Sequence, residues 1–155
     1  MLQYHEMTAQ EKETVADWNY TGDYEVYNMP SYQQQLEQGV AFGDPRCDRN
    51  FISYYDGEKL IGFTNILEEP TEVFIGIGVT PDACGQGYGQ QMLHIAQELS
   101  KKRYPHKPLY LEVRTWNQRA IACYQKAGFA VDGDAFEQET MLGTGAFLRM
   151  TYSAE

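Results

Sequence analysis

The chain has 155 residues, a length that fits one domain with an ordinary hydrophobic core. Its 43% hydrophobic and 22% charged residues are close to the averages of globular proteins, which excludes an intrinsically disordered chain. The formal net charge of −10 argues against binding to nucleic acid, because contacts with the phosphate backbone need clustered cations. The charge would suit a cationic substrate, and solubility alone is the alternative explanation.

The sequence shows no feature of membrane targeting or of a metal site. Its apolar runs are far shorter than a membrane span, and the first residues have neither the basic start nor the apolar core of a signal peptide. We therefore expect a cytoplasmic protein with no membrane partner. Cys47, Cys84 and Cys123 share no CxxC spacing and the three histidines are scattered, so we expect no bound metal.

The chain starts with the pattern of a strand followed by a capped helix. Residues 2–7 alternate between polar and apolar side chains well enough for a strand. Thr8, with Glu11 three positions later, is typical of a capping box. The helix that this box starts should run to about Trp18.

The next segment predicts a loop, a second helix and a hairpin. Residues 19–30 are rich in tyrosine and turn residues, which indicates a loop. Ser31 favours the start of a short helix and Gly39 its end. Two β-rich runs then flank the dipeptide Asp56-Gly57, which is favoured where both residues of a hairpin turn need positive φ.

The remaining elements alternate between strands and helices. Residues 72–79 predict a strand, and apolar residues at steps of three and four predict an amphipathic helix over 88–103. A strand follows at 109–113, and then a helix capped by Asn117 and closed by Gly128. Two final strands, joined by a polar turn that contains glycine, are predicted at residues 129–136 and 147–153. This order predicts a single mixed α/β domain over the whole chain, residues 1–155.

Three alternating glycines, Gly85, Gly87 and Gly89, stand between a predicted strand and a predicted helix. Glycine weakens both kinds of element, so either a tight turn needs these residues or a ligand approaches the backbone. The first N–H groups of a helix lack internal partners and attract anions, which favours a phosphate group here. The spacing does not match a Rossmann G-x-G-x-x-G, and the Gly-Lys-Ser/Thr of a P-loop is absent. The pyrophosphate of another carrier and a merely tight turn remain as alternatives.

Residues 109–129, read together with this loop, resemble the GNAT superfamily of N-acetyltransferases. The acetyl-CoA loop of that family reads Gln/Arg-x-x-Gly-x-Gly/Ala, and residues 84–89 read CGQGYG, so that Cys84 stands where Gln or Arg is usual. The block LEVRTWNQRAIACYQKAGF is similar to the strand and helix that follow in the family. It looks most like the branch that acetylates the N-termini of ribosomal proteins. The resemblance covers residues 51–136 well.

The resemblance implies the GNAT-type acyl-CoA N-acyltransferase fold, a mixed α/β fold with a mostly antiparallel central sheet flanked by helices. It also implies direct transfer of an acetyl group from acetyl-CoA, the acyl-donor co-substrate, to a primary amine, without a metal. The pantetheine arm of the coenzyme would lie along Ile77, Gly78 and Val79. A strand that splays at Gly76 or Gly78 would free an N–H to polarise the thioester oxygen. The residues expected to hold the pyrophosphate are Gly85, Gln86, Gly87, Tyr88, Gly89 and Gln90.

Tyr124 is the general acid that the resemblance implies, because its family position places the hydroxyl near the coenzyme sulfur. Periodicity alone would instead make it a core aromatic residue. Asn117 could bind the coenzyme or cap its helix, and both roles are compatible. For the general base the resemblance offers Glu112, which could also lie on the solvent face of the sheet, and Glu72 at the start of the preceding strand. A base acting through water would also suffice.

The acceptor site should come from the first two helices and the loop between them. Aromatic rings and carboxylates together suit an ammonium group, and this region contains Trp18, Tyr20, Asp23, Tyr24, Glu25 and Tyr27. Aromatic packing with solvated charges is the alternative interpretation. The favoured acceptor is a small amine, and the alternatives are a protein N-terminus or lysine, or a sensor that binds acyl-CoA without catalysis. The partner is thus a small-molecule or peptide amine, and a homodimer is left open.

Overall fold

The computed structural model describes residues 1–140 and 143–153. They form two compact units, the first made of Met1–Asn65 and Ile77–Tyr88, the second of Ile66–Gly76 and Gly89–Glu155. Within the described residues, no helix combines the length and the apolar character needed to cross a membrane. That the whole chain acts as a single domain stays a prediction.

The strands and helices follow one another in an order close to the predicted one. In chain order they are β1 Gln3–Glu6, α1 Ala9–Ala16, α2 Tyr32–Gln38, β2 Phe51–Asp56, β3 Lys59–Glu68, β4 Val73–Val79, α3 Tyr88–Arg103, β5 Leu109–Arg114, α4 Gln118–Lys126, β6 Ala130–Val131, β7 Phe136–Thr140 and β8 Gly143–Tyr152. The mixed α/β class, with mostly antiparallel strands and flanking helices, is confirmed.

The predicted caps of the first two helices are confirmed. The Glu11 N–H donates to Thr8 Oγ1 over 3.1 Å, and the Thr8 N–H donates back to Glu11 Oε1 over 2.9 Å. Ser31 caps α2 in the same way, and Gly39 ends that helix at a φ of +64°. Helix α1 stops at Ala16, slightly before the predicted end.

Two details of the N-terminal half were predicted wrongly. The tyrosine-rich loop contains a 3₁₀ helix over Gly22–Tyr27, which starts with a glycine at a φ of +64°. The hairpin exists, but Asp56 pairs with Lys59 and is the last residue of β2, so the turn comprises residues 57 and 58. Only Gly57 needs the positive φ, at +63°. The sequence pattern locates such a turn only to within one residue, because cross-strand pairing sets the register.

In the first unit the strand order is β1-β2-β3-β4, with antiparallel pairing from β1 to β3. Just after β4, the Thr80 N–H donates to the Ile61 carbonyl on β3 over 2.9 Å. A hydrophobic cluster beside these strands consists of Met7, Val15, Ala16, Phe42 and Phe51. The unit therefore fixes the end of β4, where the glycine-rich loop begins.

In the second unit the strand order is β3-β4-β5-β8-β6, and β7 also pairs with β8. The β4–β5 ladder is parallel and registers Val73 with Leu109 and Phe74 with Tyr110. Strand β5 alternates: one face is buried, and the other carries Tyr110, Glu112 and Arg114. This second face is called the outer face of β5 below.

The two predicted final strands are corrected to three. The first predicted run gives only Ala130–Val131, because the chain turns at Gly133 with a φ of +83°. Residues 136–140, predicted to belong mostly to the polar turn, form β7 by pairing with β8. Pairing and packing override the low β-propensity of such a polar segment. The middle of the predicted turn, residues 141 and 142, lies outside the described residues.

Candidate active site

The three alternating glycines have two different structural causes. Gly85 and Gly87 have φ values of +80° and +84°, and at both positions an added Cβ would meet nothing within 4 Å. They are exposed, so glycine is needed for the backbone conformation and the space beside it is open. Gly89 lies in α3, and a Cβ there would come to 3.0 Å from Cys123 Sγ on α4. Gly89 therefore allows two helices of the second unit to pack closely.

The glycine-rich loop has no cationic side chain of its own. Residues 80–90 contain no lysine, arginine or histidine, so an anion would be held there by backbone N–H groups. Cys84 directs its Sγ at the backbone, 3.5 Å from the Thr80 carbonyl and 3.7 Å from that of Val79. The Gln86 side chain donates to the Asp82 carbonyl over 3.1 Å, and Gln90 is half-buried in the first turn of α3.

Tyr88, the first residue of α3, is tied to the β2–β3 hairpin. Its hydroxyl donates to a carboxylate oxygen of Asp56. This hydrogen bond raises the pKa of Tyr88 above its ordinary value. The bond fixes the entry of the loop into the helix, and the side chain of Tyr88 is thereby already engaged. The loop would therefore offer a ligand the Tyr88 backbone N–H.

The end of β4 is held by contacts within the first unit. Gly78 lies against Phe63, whose Cε1 would be 2.4 Å from an added Cβ. The Val79 carbonyl accepts a hydrogen bond from the Tyr20 hydroxyl. Within the second unit, Ile75 and Gly76 have no registered partner on β5 after the two pairs of the parallel ladder. The structure thus gives Gly78 a packing role, and the β4–β5 ladder stops before the strand does.

The tyrosines of the predicted acceptor region lie together. The Tyr20 and Tyr27 ring centroids are 6.4 Å apart and those of Tyr24 and Tyr27 are 6.3 Å apart. Burial, with a smaller effect of the nearby Cys84, raises the pKa of Tyr20 above its ordinary value. Trp18 does not join them, since its ring packs 6.4 Å from that of Phe63 beside the hydrophobic cluster.

The two carboxylates of the acceptor region lie on the 3₁₀ helix that carries these tyrosines. Asp23 and Glu25 are both exposed within Gly22–Tyr27. The first unit therefore brings the tyrosines next to the end of β4 and leaves the acidic residues in solvent. A carboxylate in solvent interacts only weakly with a cation, so the rings are the stronger part of this arrangement.

Helix α4 carries two of the predicted residues. Asn117 caps it, as its Oδ1 accepts from the Ala120 N–H over 3.1 Å, and the residue is 6% exposed. Gly128 follows the helix with a φ of +99°, as predicted. Tyr124 is half-buried near the C-terminal end of the helix. The capping role of Asn117 is thus confirmed.

The two candidate bases differ in their partners. Glu72 pairs with Arg149, whose Nη2 and Nη1 both donate to its carboxylate, and this pair raises the pKa of Arg149. Glu112 is exposed on the outer face of β5, and its Oε1 accepts a 3.2 Å hydrogen bond from the neutral Gln138 side chain. The solvent-face location considered for Glu112 is therefore correct.

Sequence reasoning did not single out Arg114, which lies on the same face as Glu112. Its guanidinium carbon lies 4.9 Å from the centroid of the Phe147 ring. The alternation of LYLEVR would have placed both charges on one face, but the partner ring comes from a strand far along the chain. For the described part of the chain, no group of three or more histidine, cysteine, aspartate or glutamate side chains could hold a metal ion.

The model of the acetyltransferase (GNAT) family matches residues 12–129, most of the chain. The chain belongs to the GNAT family. The matched range contains residues 72–124, and so includes every candidate residue of the coenzyme site, both candidate bases and the candidate acid.

Two curated GNAT relatives are named for protein substrates. The chain is 36% identical over 96 residues to peptidyl-lysine N-acetyltransferase YiaC of Escherichia coli (strain K12), which covers 62% of this chain and 60% of YiaC. It is 30% identical over 119 residues to the [ribosomal protein bS18]-alanine N-acetyltransferase of the same strain, covering 68% and 76%. The chain thus spans about 60% of the length of YiaC. The predicted similarity to the ribosomal-protein branch is confirmed.

A solved GNAT structure shows the same fold. The spermidine N-acetyltransferase from Vibrio cholerae, in complex with CoA and spermine, superimposes with a TM-score of 0.76 at 17% sequence identity. The match covers 97% of this chain and 94% of that one. At this identity the likeness establishes the fold, and the acceptor of that enzyme is not carried over.

Proposed function

We propose that the chain is an N-acetyltransferase that moves the acetyl group of acetyl-CoA to a primary amine by direct attack in a ternary complex. The observation that carries this proposal is the glycine-rich loop. Gly85 and Gly87 adopt positive φ, are exposed and have open space beside them, directly before the first turn of α3. Membership of the GNAT family supports acetyl-CoA as the co-substrate.

The coenzyme residues fit a pyrophosphate held by the backbone. A helix start offers N–H groups without internal acceptors, and glycines let a phosphate approach them closely. The loop itself lacks basic side chains, so the contribution of the loop to binding would come from this backbone geometry. The proposed coenzyme-binding residues remain Ile77, Gly78, Val79, Gly85, Gln86, Gly87, Tyr88, Gly89, Gln90, Asn117 and Tyr124.

The transfer requires two proton movements. The amine nitrogen must lose a proton to a base before it attacks the thioester carbonyl carbon, forming the new C–N bond as the C–S bond breaks. The sulfur leaves as a thiolate and receives a proton from an acid, so that the products are an N-acetyl amide and the CoA thiol. Tyr124 is the proposed acid, because a phenol with an ordinary pKa of about 10 is protonated at neutral pH.

Glu112 is the better supported of the two candidate bases. Its carboxylate is exposed and accepts a hydrogen bond from the neutral Gln138, and within the described residues it makes no ion pair that would have to break before it accepts a proton. Glu72 would first have to give up its pairing with Arg149. A carboxylate that binds an ammonium group can also lower the cost of placing that cation at the site.

The acceptor is a small amine in the favoured proposal. The tyrosines at the end of β4 and the net charge of −10 both suit a cation. A protein N-terminus or lysine is the second candidate, which the two protein-acetylating relatives favour. Comparing acetylation of free amines with that of peptides separates the two, and a non-catalytic sensor would bind acetyl-CoA without turnover on either.

The proposal is tested first by thermal unfolding with acetyl-CoA, CoA, NAD or ATP, each added separately. A ligand present at about 100 times its dissociation constant adds roughly 2.7 kcal/mol to the free energy of unfolding. For a chain of this size that corresponds to a rise in Tm of about 5–10 °C. We expect this rise with acetyl-CoA and CoA alone. The absence of a shift with both would remove the proposed function.

Gly87→Val tests the loop itself, and Gly39→Val is its matched control. Both glycines have positive φ, +84° and +64°, and neither has an atom within 4 Å of an added Cβ, so the two substitutions strain the backbone alike. We expect both variants to lose stability, and only Gly87→Val to lose the shift caused by acetyl-CoA. An unchanged shift in Gly87→Val would show that the loop does not hold the coenzyme.

A further inference from the structure

The outer face of β5 carries two opposite charges that do not pair with each other. Glu112 and Arg114 are two positions apart, so both side chains lie on this face. Across the ladder, Glu112 faces Arg149 and Arg114 faces Phe147 on β8. Among the residues that the structure describes, neither Glu112 nor Arg114 makes an ion pair.

The Arg114 guanidinium lies against the Phe147 ring and beside the backbone of Gly145. Its guanidinium carbon lies 4.9 Å from the centroid of Phe147, a buried ring that stacks on Phe136 with centroids 6.1 Å apart. On β8, a Cβ added at Gly145 would come to 2.6 Å from Arg114 Nη1, so glycine provides the room for the guanidinium. A ring face leaves the N–H groups of the guanidinium fork available to an anion.

The neighbouring charged residue on this face, Arg149, already forms ion pairs with other carboxylates. Arg149, directly opposite Glu112, donates to Glu72 and lies 3.4 Å from Asp132, and its guanidinium stacks over Tyr110 at 4.2 Å. Glu112 itself accepts a hydrogen bond from the side-chain amide of Gln138, at 3.2 Å. Beside the Arg149 cluster, the face therefore presents Glu112 and Arg114, each contacted by a neutral group and neither in an ion pair with a described residue.

We propose that this pair recognises a zwitterionic acceptor, an amino acid whose ammonium group meets Glu112 and whose carboxylate meets the Arg114 guanidinium. The inference rests on the proposed function, because it places the reacting amine beside the proposed base. Arginine binds carboxylates through two parallel hydrogen bonds, which fixes the orientation of the acceptor as well as its affinity. A polyamine or the lysine side chain of a protein would satisfy Glu112 and leave Arg114 without a partner.

The test compares the twenty L-amino acids with their C-terminal amides as acceptors, measured by release of the CoA thiol at saturating acetyl-CoA. We expect at least one amino acid to exceed its amide in kcat/KM by about tenfold or more, because the amide removes the group that Arg114 binds. In Arg114→Gln this preference should fall to near unity through a rise in KM for the acid, with the amide unaffected. Arg46→Gln, the same change at an exposed arginine paired with Asp44, should keep the preference.

Gly145→Ala provides a second variant that keeps the positive charge. The added Cβ would come to 2.6 Å from Arg114 Nη1 and to 3.0 Å from Phe147 Cε1, so it disturbs both the guanidinium and the ring beneath it, and the preference for the acid should fall. The inference is overturned if acids and amides react equally in the unaltered protein, or if Arg114→Gln preserves a preference for acids. When acetyl-CoA stabilises the protein but no acid is preferred, only this inference fails. When no coenzyme form binds, the proposed function fails with it.

Discussion

Glu11 offers the sharpest test of how this fold is held together, because a buried carboxylate there gathers four donors. It is 8% exposed and accepts hydrogen bonds from the Thr8 N–H at 2.9 Å, Ser53 Oγ at 2.9 Å, His5 Nε2 at 2.7 Å and the Tyr55 hydroxyl. The cluster joins the start of α1 to β1 and β2 in the first unit. We predict that Glu11→Gln lowers the stability of the chain strongly at neutral pH.

The magnitude follows from the pKa of the carboxyl group. Burial alone would raise this pKa, but the hydrogen bonds, led by that of Thr8, outweigh it and lower the pKa of Glu11 from 4.5 to about 2. The hydrogen bond between the Tyr55 hydroxyl and Glu11 raises the pKa of Tyr55 to about 12. The lowering of the pKa of Glu11 from 4.5 to about 2 corresponds to about 3 kcal/mol in the free energy of unfolding at pH 7. Glutamine cannot supply it, because its NH₂ group would face other donors.

The pH dependence has a definite sign. The folded pKa lies below the unfolded one, so the contribution of Glu11 is complete above about pH 4.5 and disappears as the pH falls through about 2. When the pH falls from about 7 to about 3, the free energy of unfolding of the unaltered protein should therefore decrease by about 2 kcal/mol through Glu11. Glu11→Gln lacks this contribution at both pH values, so it should not show that decrease. Urea unfolding followed by circular dichroism at both pH values measures this difference.

Glu13→Gln is the matched control, because Glu13 lies on the same helix with its side chain exposed. It should follow the unaltered protein at both pH values. If Glu11→Gln instead unfolds at the same urea concentration as this control, or shows the same pH slope, the cluster does not stabilise the charged carboxylate. The argument from hydrogen bonding would then be refuted.

Two further predictions concern α4. Tyr124→Phe should lower turnover by about 10²-fold, the usual contribution of a general acid. The thermal shift caused by acetyl-CoA should stay the same. Unchanged turnover would exclude Tyr124 as the acid. Asn117→Ala removes the cap on the Ala120 N–H and should cost about 1 kcal/mol in urea unfolding, whereas the exposed Gln118→Ala should cost little, and equal losses would argue against the cap.

Local features of this chain could be predicted from the sequence because their partners are neighbours. The capping boxes at Thr8 and Ser31 join residues three positions apart, and the C-terminal glycines of α2 and α4 answer a backbone requirement of their own helices. The glycine-rich loop belongs to this class, since positive φ at Gly85 and Gly87 is a property of the turn. The resemblance to the GNAT family then indicated acetyl-CoA as the ligand of the loop, which the sequence pattern alone could not do.

The tertiary structure decided everything that depends on which strands meet. Arg149, which pairs with the candidate base Glu72, lies 77 positions away from it, and Cys123, which an added Cβ at Gly89 would approach, lies on another helix. β7 became a strand only because β8 pairs with it. Arg114 lies beside Phe147 and Gly145 because β5 also pairs with β8. The sequence by itself determined the helices, their caps and the glycine turn that we propose as a phosphate site, because the contacts within each of them are short-range. Strand pairing joins residues that the sequence keeps apart, so it set the positions of the charges that we propose for the acceptor.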